Sequence, residues 1–116
     1  MIGLDRLMEK EGVVAAGQFG EDGSVVRAVG QFNPEVMKRA AQICAEHHRG
    51  AQEASKELEE GTPLDWDGLN GWVLWSGKHA VCVSGNTGVF VDATRADFNQ
   101  LVVDLFGPPA AGKRVD

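Results

Sequence analysis

The stretch from Asn33 to Pro63 constrains the fold more than any other part of the chain. Asn33 followed by Pro34 is a strong helix start. The asparagine side chain can accept from the first free amides, and the proline ring presets the helical φ where an amide has no intrahelical acceptor. No further proline occurs until Pro63, behind Gly61 and Thr62, so the spacing predicts one long helix from Pro34 to about Gly61. Met37, Cys44, Ala51 and Leu58 recur at heptad spacing, with Ala40, His47 and Ala54 each one turn after the first three. One stripe of this helix is therefore apolar and mostly small-sided, which permits close approach of another helix. Gly50 interrupts it at a cost of about 1 kcal/mol relative to alanine, and marks either a kink or a place where another backbone comes near.

Shorter elements flank the long one. Leu4, Leu7 and Met8 at helical spacing, with Gly12 as a stop, predict a short amphipathic helix over Gly3 to Lys10. Val13 to Phe19 and Ser24 to Val29 are β-compatible runs joined by Gly20-Glu21-Asp22-Gly23, whose Asp-Gly is a hairpin signal. Thr62 to Asn70 reads as a loop. Three strand signals follow at Trp72 to Ser76, His79 to Ser84 and Thr87 to Asp92, joined by Gly77-Lys78 and Gly85-Asn86, where glycine supplies the positive φ of primed turns. Thr94 and Asp97 read as a capping box ahead of Phe98, Leu101, Val102 and Leu105, and Gly107-Pro108-Pro109 ends that helix. The expected architecture is α+β, a sandwich of one five-stranded antiparallel sheet with helices on both faces, in the order α-β-β-α-β-β-β-α. Residues 1–107 make a single domain, and residues 108–116 a flexible C-terminal tail.

Composition narrows the class of function. Hydrophobic residues are 43% and charged residues 24% of the 116, close to the average for soluble globular domains. No apolar run approaches the roughly 20 residues of a spanning helix, and Asp5, Arg6, Glu9 and Lys10 stand where a signal peptide would be apolar. The expectation is a cytoplasmic protein with no membrane contact and reduced, buried thiols at Cys44 and Cys82. A net charge of −6, from 11 basic and 17 acidic residues with the basic ones scattered, argues against nucleic acid as a partner. Glu53, Glu57, Glu59 and Glu60 near the end of the long helix read as a solvated face, with a basic partner patch as the sharper alternative.

In this element order the chain resembles the roadblock family of dynein light chain type, small proteins of the profilin-like class. The resemblance runs from Leu4 to Phe106. It is carried by Leu4, Leu7, Gly12, Val13, Val14 and Ala16 leading into Asp22-Gly23 and Ser24, Val25 and Val26, and by Gly88-Val89-Phe90-Val91 ahead of a capped helix. The resemblance implies a homodimer in which the long helices of two subunits pack antiparallel and their central strands extend one sheet. Carried onto this chain, the dimer contacts would be Met37, Ala40, Ala41, Cys44, His47 and Ala51 on the helix, and Trp72 and Leu74 on the strand Trp72 to Trp75. Characterised members act as scaffolds or regulators of Ras-like GTPases and motor complexes, so a Ras-like GTPase is the implied class of protein partner. The segment with Trp66, Trp72 and Trp75 and the acidic helix end depart from the better-known members, and are closer to an uncharacterised prokaryotic branch.

Candidate chemistry is sparse. Gly107 to Lys113 has P-loop spacing, but it lacks the preceding strand and following helix, Arg114 replaces the Mg²⁺-binding hydroxyl, and two prolines remove amide donors. Cys44, His47 and His48 at i, i+3 and i+4 could converge as a partial metal site; the blander expectation is a packed thiol beside partly exposed histidines. His79 and Cys82 alternate to opposite faces of their strand, so they do not form a nucleophile and base. Asp65, Asp67 and Asp92 border loops, where acids are common, and make no acid–base pattern in the sequence. Trp72 and Leu74 share one strand face and Val73 and Trp75 the other, as in a strand covered on both sides; alternatively Trp66 or Trp75 is an exposed anchor for a partner. With no convergent set of acid, base and nucleophile, the element order and the resemblance together imply a non-catalytic homodimeric scaffold or regulatory platform with no cofactor. The alternative is a small-molecule, metal or redox sensor that uses the Cys44, His47 and His48 cluster or a pocket between helix and sheet.

Overall fold

The computed structural model describes residues 3–66 and 68–106. In chain order the elements are α1 (Leu4–Met8), β1 (Val13–Phe19), β2 (Val25–Gly30), α2 (Pro34–Gly61), β3 (Gly71–Trp75), β4 (His79–Ser84), β5 (Thr87–Asp92) and α3 (Phe98–Phe106). This is the expected succession, and the strands pair antiparallel into one sheet of order β2-β1-β5-β4-β3. The tail 108–116, the P-loop-like segment and Asp67 lie outside the described residues.

Period-two alternation divides the core. On β4, Ala80 and Cys82 face α1 and α3, packing with Leu4, Leu7, Leu101 and Leu105. Val81 and Val83 face the other way, with Phe19, Ala41, Cys44 and Ala45. Lys10 Nζ sits 2.7 Å from Asp104 Oδ2 and ties the chain after α1 to α3.

Helix α2 begins as the sequence predicts, with Val36 N–H donating to Asn33 Oδ1 at 2.9 Å. It lies close to the middle of the sheet because glycines floor that region. A methyl group at Gly17 would stand 3.3 Å from Met37 Sδ, and one at Gly88 3.4 Å from Cys44 Sγ. At about 1.5 Å per residue a helix of this length outruns strands of five to seven residues. Its C-terminal end therefore extends beyond the strands, and Trp66 is held back against it by Ser55 and Glu59. Gly50 has nothing within 4 Å of its missing Cβ, so among the described residues no other element approaches it, and the helix continues through it.

Two expectations are corrected. Thr94 does not cap α3: its amide and hydroxyl both donate to Asp92 Oδ1 at 3.0 and 2.6 Å, closing a local turn. Asp97 is the cap, accepting from Gln100 N–H at 3.1 Å. And β3 is not covered on both sides. It is the edge of the sheet, and Val73, Leu74 and Trp75 are 45%, 58% and 67% exposed.

Candidate functional site

The exposed edge is where the surface departs from what an isolated subunit needs. Natural edge strands are commonly blunted by lysine, proline or a bulge, yet β3 carries the run Gly-Trp-Val-Leu-Trp and no bulge in its pairing with β4. On the α2 side, Trp72 and Leu74 form one wall of a groove of about 470 Å³ whose other wall is Val36, Ala40 and Ile43, with Phe90 on its floor. On the α3 side, Trp75 lies tilted against Phe98 with ring centroids 6.0 Å apart. Val36 and Ile43 are also exposed. The apolar surface is thus continuous from helix to strand, which in a soluble protein marks a contact site.

The residues carried over as dimer contacts separate into two groups. Met37, Ala40, Ala41 and Cys44 are buried within the subunit, and Ala41 and Cys44 pack directly on its own sheet. His47 and Leu74 are exposed, while Ala51 and Trp72 are half-buried. Val36 and Ile43, beside that stripe, are exposed helix residues that the sequence pattern did not single out. A signal for them was available, since Val36, Ile43 and Gly50 also recur at heptad spacing, one residue ahead of the Met37 register.

The two helix histidines use Nδ1 in opposite roles. Trp72 Nε1–H donates to His48 Nδ1 at 3.1 Å, so that nitrogen presents its lone pair. His47 Nδ1 lies 2.9 Å from the Ile43 carbonyl and therefore carries its proton. Cys44 points into the core, and burial pushes its thiol up to about 11, as it does for Cys82. Cys44, His47 and His48 therefore do not converge, and among the described residues no group of three or more His, Cys, Asp or Glu is placed to hold a metal. Cys82 packs toward α1 and α3, while His79, on the opposite side of the strand, is exposed.

The third tryptophan is fixed by its backbone. Ser55, buried near the end of α2, donates through Oγ to the Trp66 carbonyl at 2.5 Å, and Trp66 N–H donates to Glu59 Oε2 at 2.5 Å. Part of the acidic helix end is thus a loop anchor, while Glu53, Glu57 and Glu60 stay exposed. Trp66 is 42% exposed above this anchor. A second cavity, of about 650 Å³, opens between β2 and the start of α2, with Val25, Ala28, Phe32 and Met37 inside and Lys38 and Gln42 among its lining.

The sheet order, the single long helix across one face and the pair of short helices on the other define a roadblock fold. A roadblock/LC7 domain from Streptomyces avermitilis superposes with a TM-score of 0.73 at 16% identity, over 88% of this chain and 84% of that one. The gliding protein MglB from Thermus thermophilus gives 0.69 at 16% identity, over 86% and 75%. A structure described as MglB with tetrameric arrangement gives 0.68 at 17%, over 86% and 74%. At these identities the likeness is one of fold. The chain itself belongs to the family described as Uncharacterized conserved protein (DUF2173), whose model matches residues 3–106. Among curated proteins no sequence matches it. Among the described residues no helix is long and apolar enough to cross a membrane.

Proposed function

We propose that the protein is a non-catalytic cytoplasmic platform that works as a homodimer, the second copy covering the groove between α2 and β3, and that the assembled dimer holds a protein partner. The observation that carries this is the apolar edge: Val73, Leu74 and Trp75 exposed on the edge strand beside exposed Val36 and Ile43. The existence of a tetrameric arrangement for MglB, a protein of the same fold, supports self-association. The resemblance makes a Ras-like GTPase the class of partner to try first.

The direct test is Ile43→Asp and Leu74→Asp, each of which puts a charge into the proposed seam without touching the core. Both variants should keep the native far-ultraviolet spectrum and sediment as single subunits. A dimer that survives both changes removes the groove from the interface.

The cavity beside β2 favours a second use of the fold, as a receptor for a small apolar ligand. Native mass spectrometry of the freshly purified protein that shows only the bare polypeptide mass disposes of that use.

A further inference from the structure

The face that β2 turns toward α2 floors a trough bounded at both ends. Side-chain alternation decides what that face offers. Arg27 meets Asp5 of α1 at 3.5 Å and Val29 packs with the core under α1 and α3, so Ala28 between them faces α2. Val25, paired with Phe19, faces the same way. Helix α2 lies over the middle of the sheet, with Met37 on Gly17, and the small side chain of Ala28 leaves about 650 Å³ open between strand and helix. The β1–β2 turn bounds one end: a methyl group at Gly23 would stand 3.2 Å from Gln42 Cα, and Arg49 Nη1 donates to the Glu21 carbonyl at 2.8 Å. Phe32, its ring tilted on Phe90 with centroids 5.1 Å apart, bounds the other end beside Pro34. From Pro34 to Gln42 the helix rises about 12 Å.

The polar groups at this trough select a head group. Lys38 and Gln42, one turn apart on α2, stand at its rim. Lys38 is exposed, and neither ion pair found among the described residues involves it. Asp22 also reaches the lining, but its Oδ1 already accepts from the Ser24 amide and hydroxyl at 3.0 and 2.7 Å, closing the turn. An apolar floor under an ammonium without an acid partner is complementary to a chain that ends in a carboxylate.

We propose that this trough binds a small amphipathic carboxylate, a medium-chain fatty acid, with its chain on Ala28, Phe32 and Met37 and its head on the Lys38 ammonium beside the Gln42 amide. The proposal rests on the receptor reading above and narrows it to one class of ligand. It is independent of the dimer, because β2 is the sheet edge opposite β3. The shape favours a small molecule over an added strand. The register shift at Phe19 and the positive φ of Gly30, +114°, break the β2 edge on either side of residues 27–29, too short a run for a sixth strand to follow. The volume is that of a small-molecule site.

Nuclear magnetic resonance of protein labelled at its methionine methyl groups tests this, with octanoate and octan-1-ol as probes below their micellar range. Octanoate should shift the Met37 signal and leave that of Met8, on the other side of the sheet, in place. Affinity should rise about fourfold per added methylene from hexanoate, as burial of the chain requires, and level off once the chain outruns the trough. Lys38→Met should weaken octanoate about fivefold, the size of an ion pair at a rim, and leave octan-1-ol unchanged. Ala28→Phe, which fills the trough from an exposed strand position, should abolish both. Octanoate binding that Lys38→Met does not weaken, or weakens no more than octan-1-ol, overturns the carboxylate assignment and leaves the receptor reading standing. Failure of both probes to move Met37 overturns the two together, and a shift of Met8 alone removes the site from this trough.

Discussion

Cys44 and Cys82 sit on opposite faces of the sheet, each buried and each with its thiol raised to about 11 by loss of water. The thiolate is the reactive form, so neither should react with iodoacetamide at pH 8 in the native protein, and both should react at once in denaturant. Labelling of Cys44 in the native state would mean that α2 lifts from the sheet. Asp104 belongs to the same scale. The hydrogen bonds from Lys10 and then from Gln100 hold its carboxyl below the ordinary range. Its folded form thus binds a proton less readily than the unfolded chain does, so the ionised group contributes stability at neutral pH. That contribution is lost as pH falls from about 4, where an unfolded carboxylate titrates, through the lowered folded value. Asp104→Asn should therefore lower Tm at pH 7 and remove part of the acid limb of a plot of Tm against pH; parallel curves for variant and native protein would contradict this.

At the scale of elements, the loop 62–70 depends on α2. Removing the Ser55 hydroxyl frees the Trp66 carbonyl in a half-open setting, so Ser55→Ala should cost about 1 kcal/mol. Urea unfolding monitored by tryptophan fluorescence measures it. The spans of β1, α2, β4 and β5 were legible because each rests on local chemistry: the Asn33 cap with Pro34, period-two alternation in β4, and glycine at the first turn position in Gly85-Asn86. Position within the sheet was not legible. The pattern of β3 is apolar on both faces, and alternation alone cannot separate a strand buried under helices from an edge waiting for a partner. The small-sided stripe of α2 carried the same ambiguity. Small side chains permit close approach, but what approaches Ala41 and Cys44 is the sheet floor around Gly88, and the exposed apolar residues Val36 and Ile43 lie beside that stripe. Thr94 failed as a cap because Asp92, two residues earlier, offers its hydroxyl a nearer acceptor.

For the molecule as a whole, α2 and β3 together leave one side unfinished. Sheet order places β2 and β3 at the two edges, and of these β3 joins the groove that carries Val36, Ile43 and Leu74. Burial of such a surface is favourable at about 25 cal/mol per Å², so an isolated subunit would leave it in water at a continuing cost. In the proposed platform the surface on offer is made by two copies, so loss of the dimer should abolish partner binding along with it. Sedimentation equilibrium of the native chain over a wide concentration range is the most direct measurement of this. The expected result is twice the mass of one chain, reverting to one in Ile43→Asp and Leu74→Asp; a single chain's mass at the highest concentration rules the dimer out.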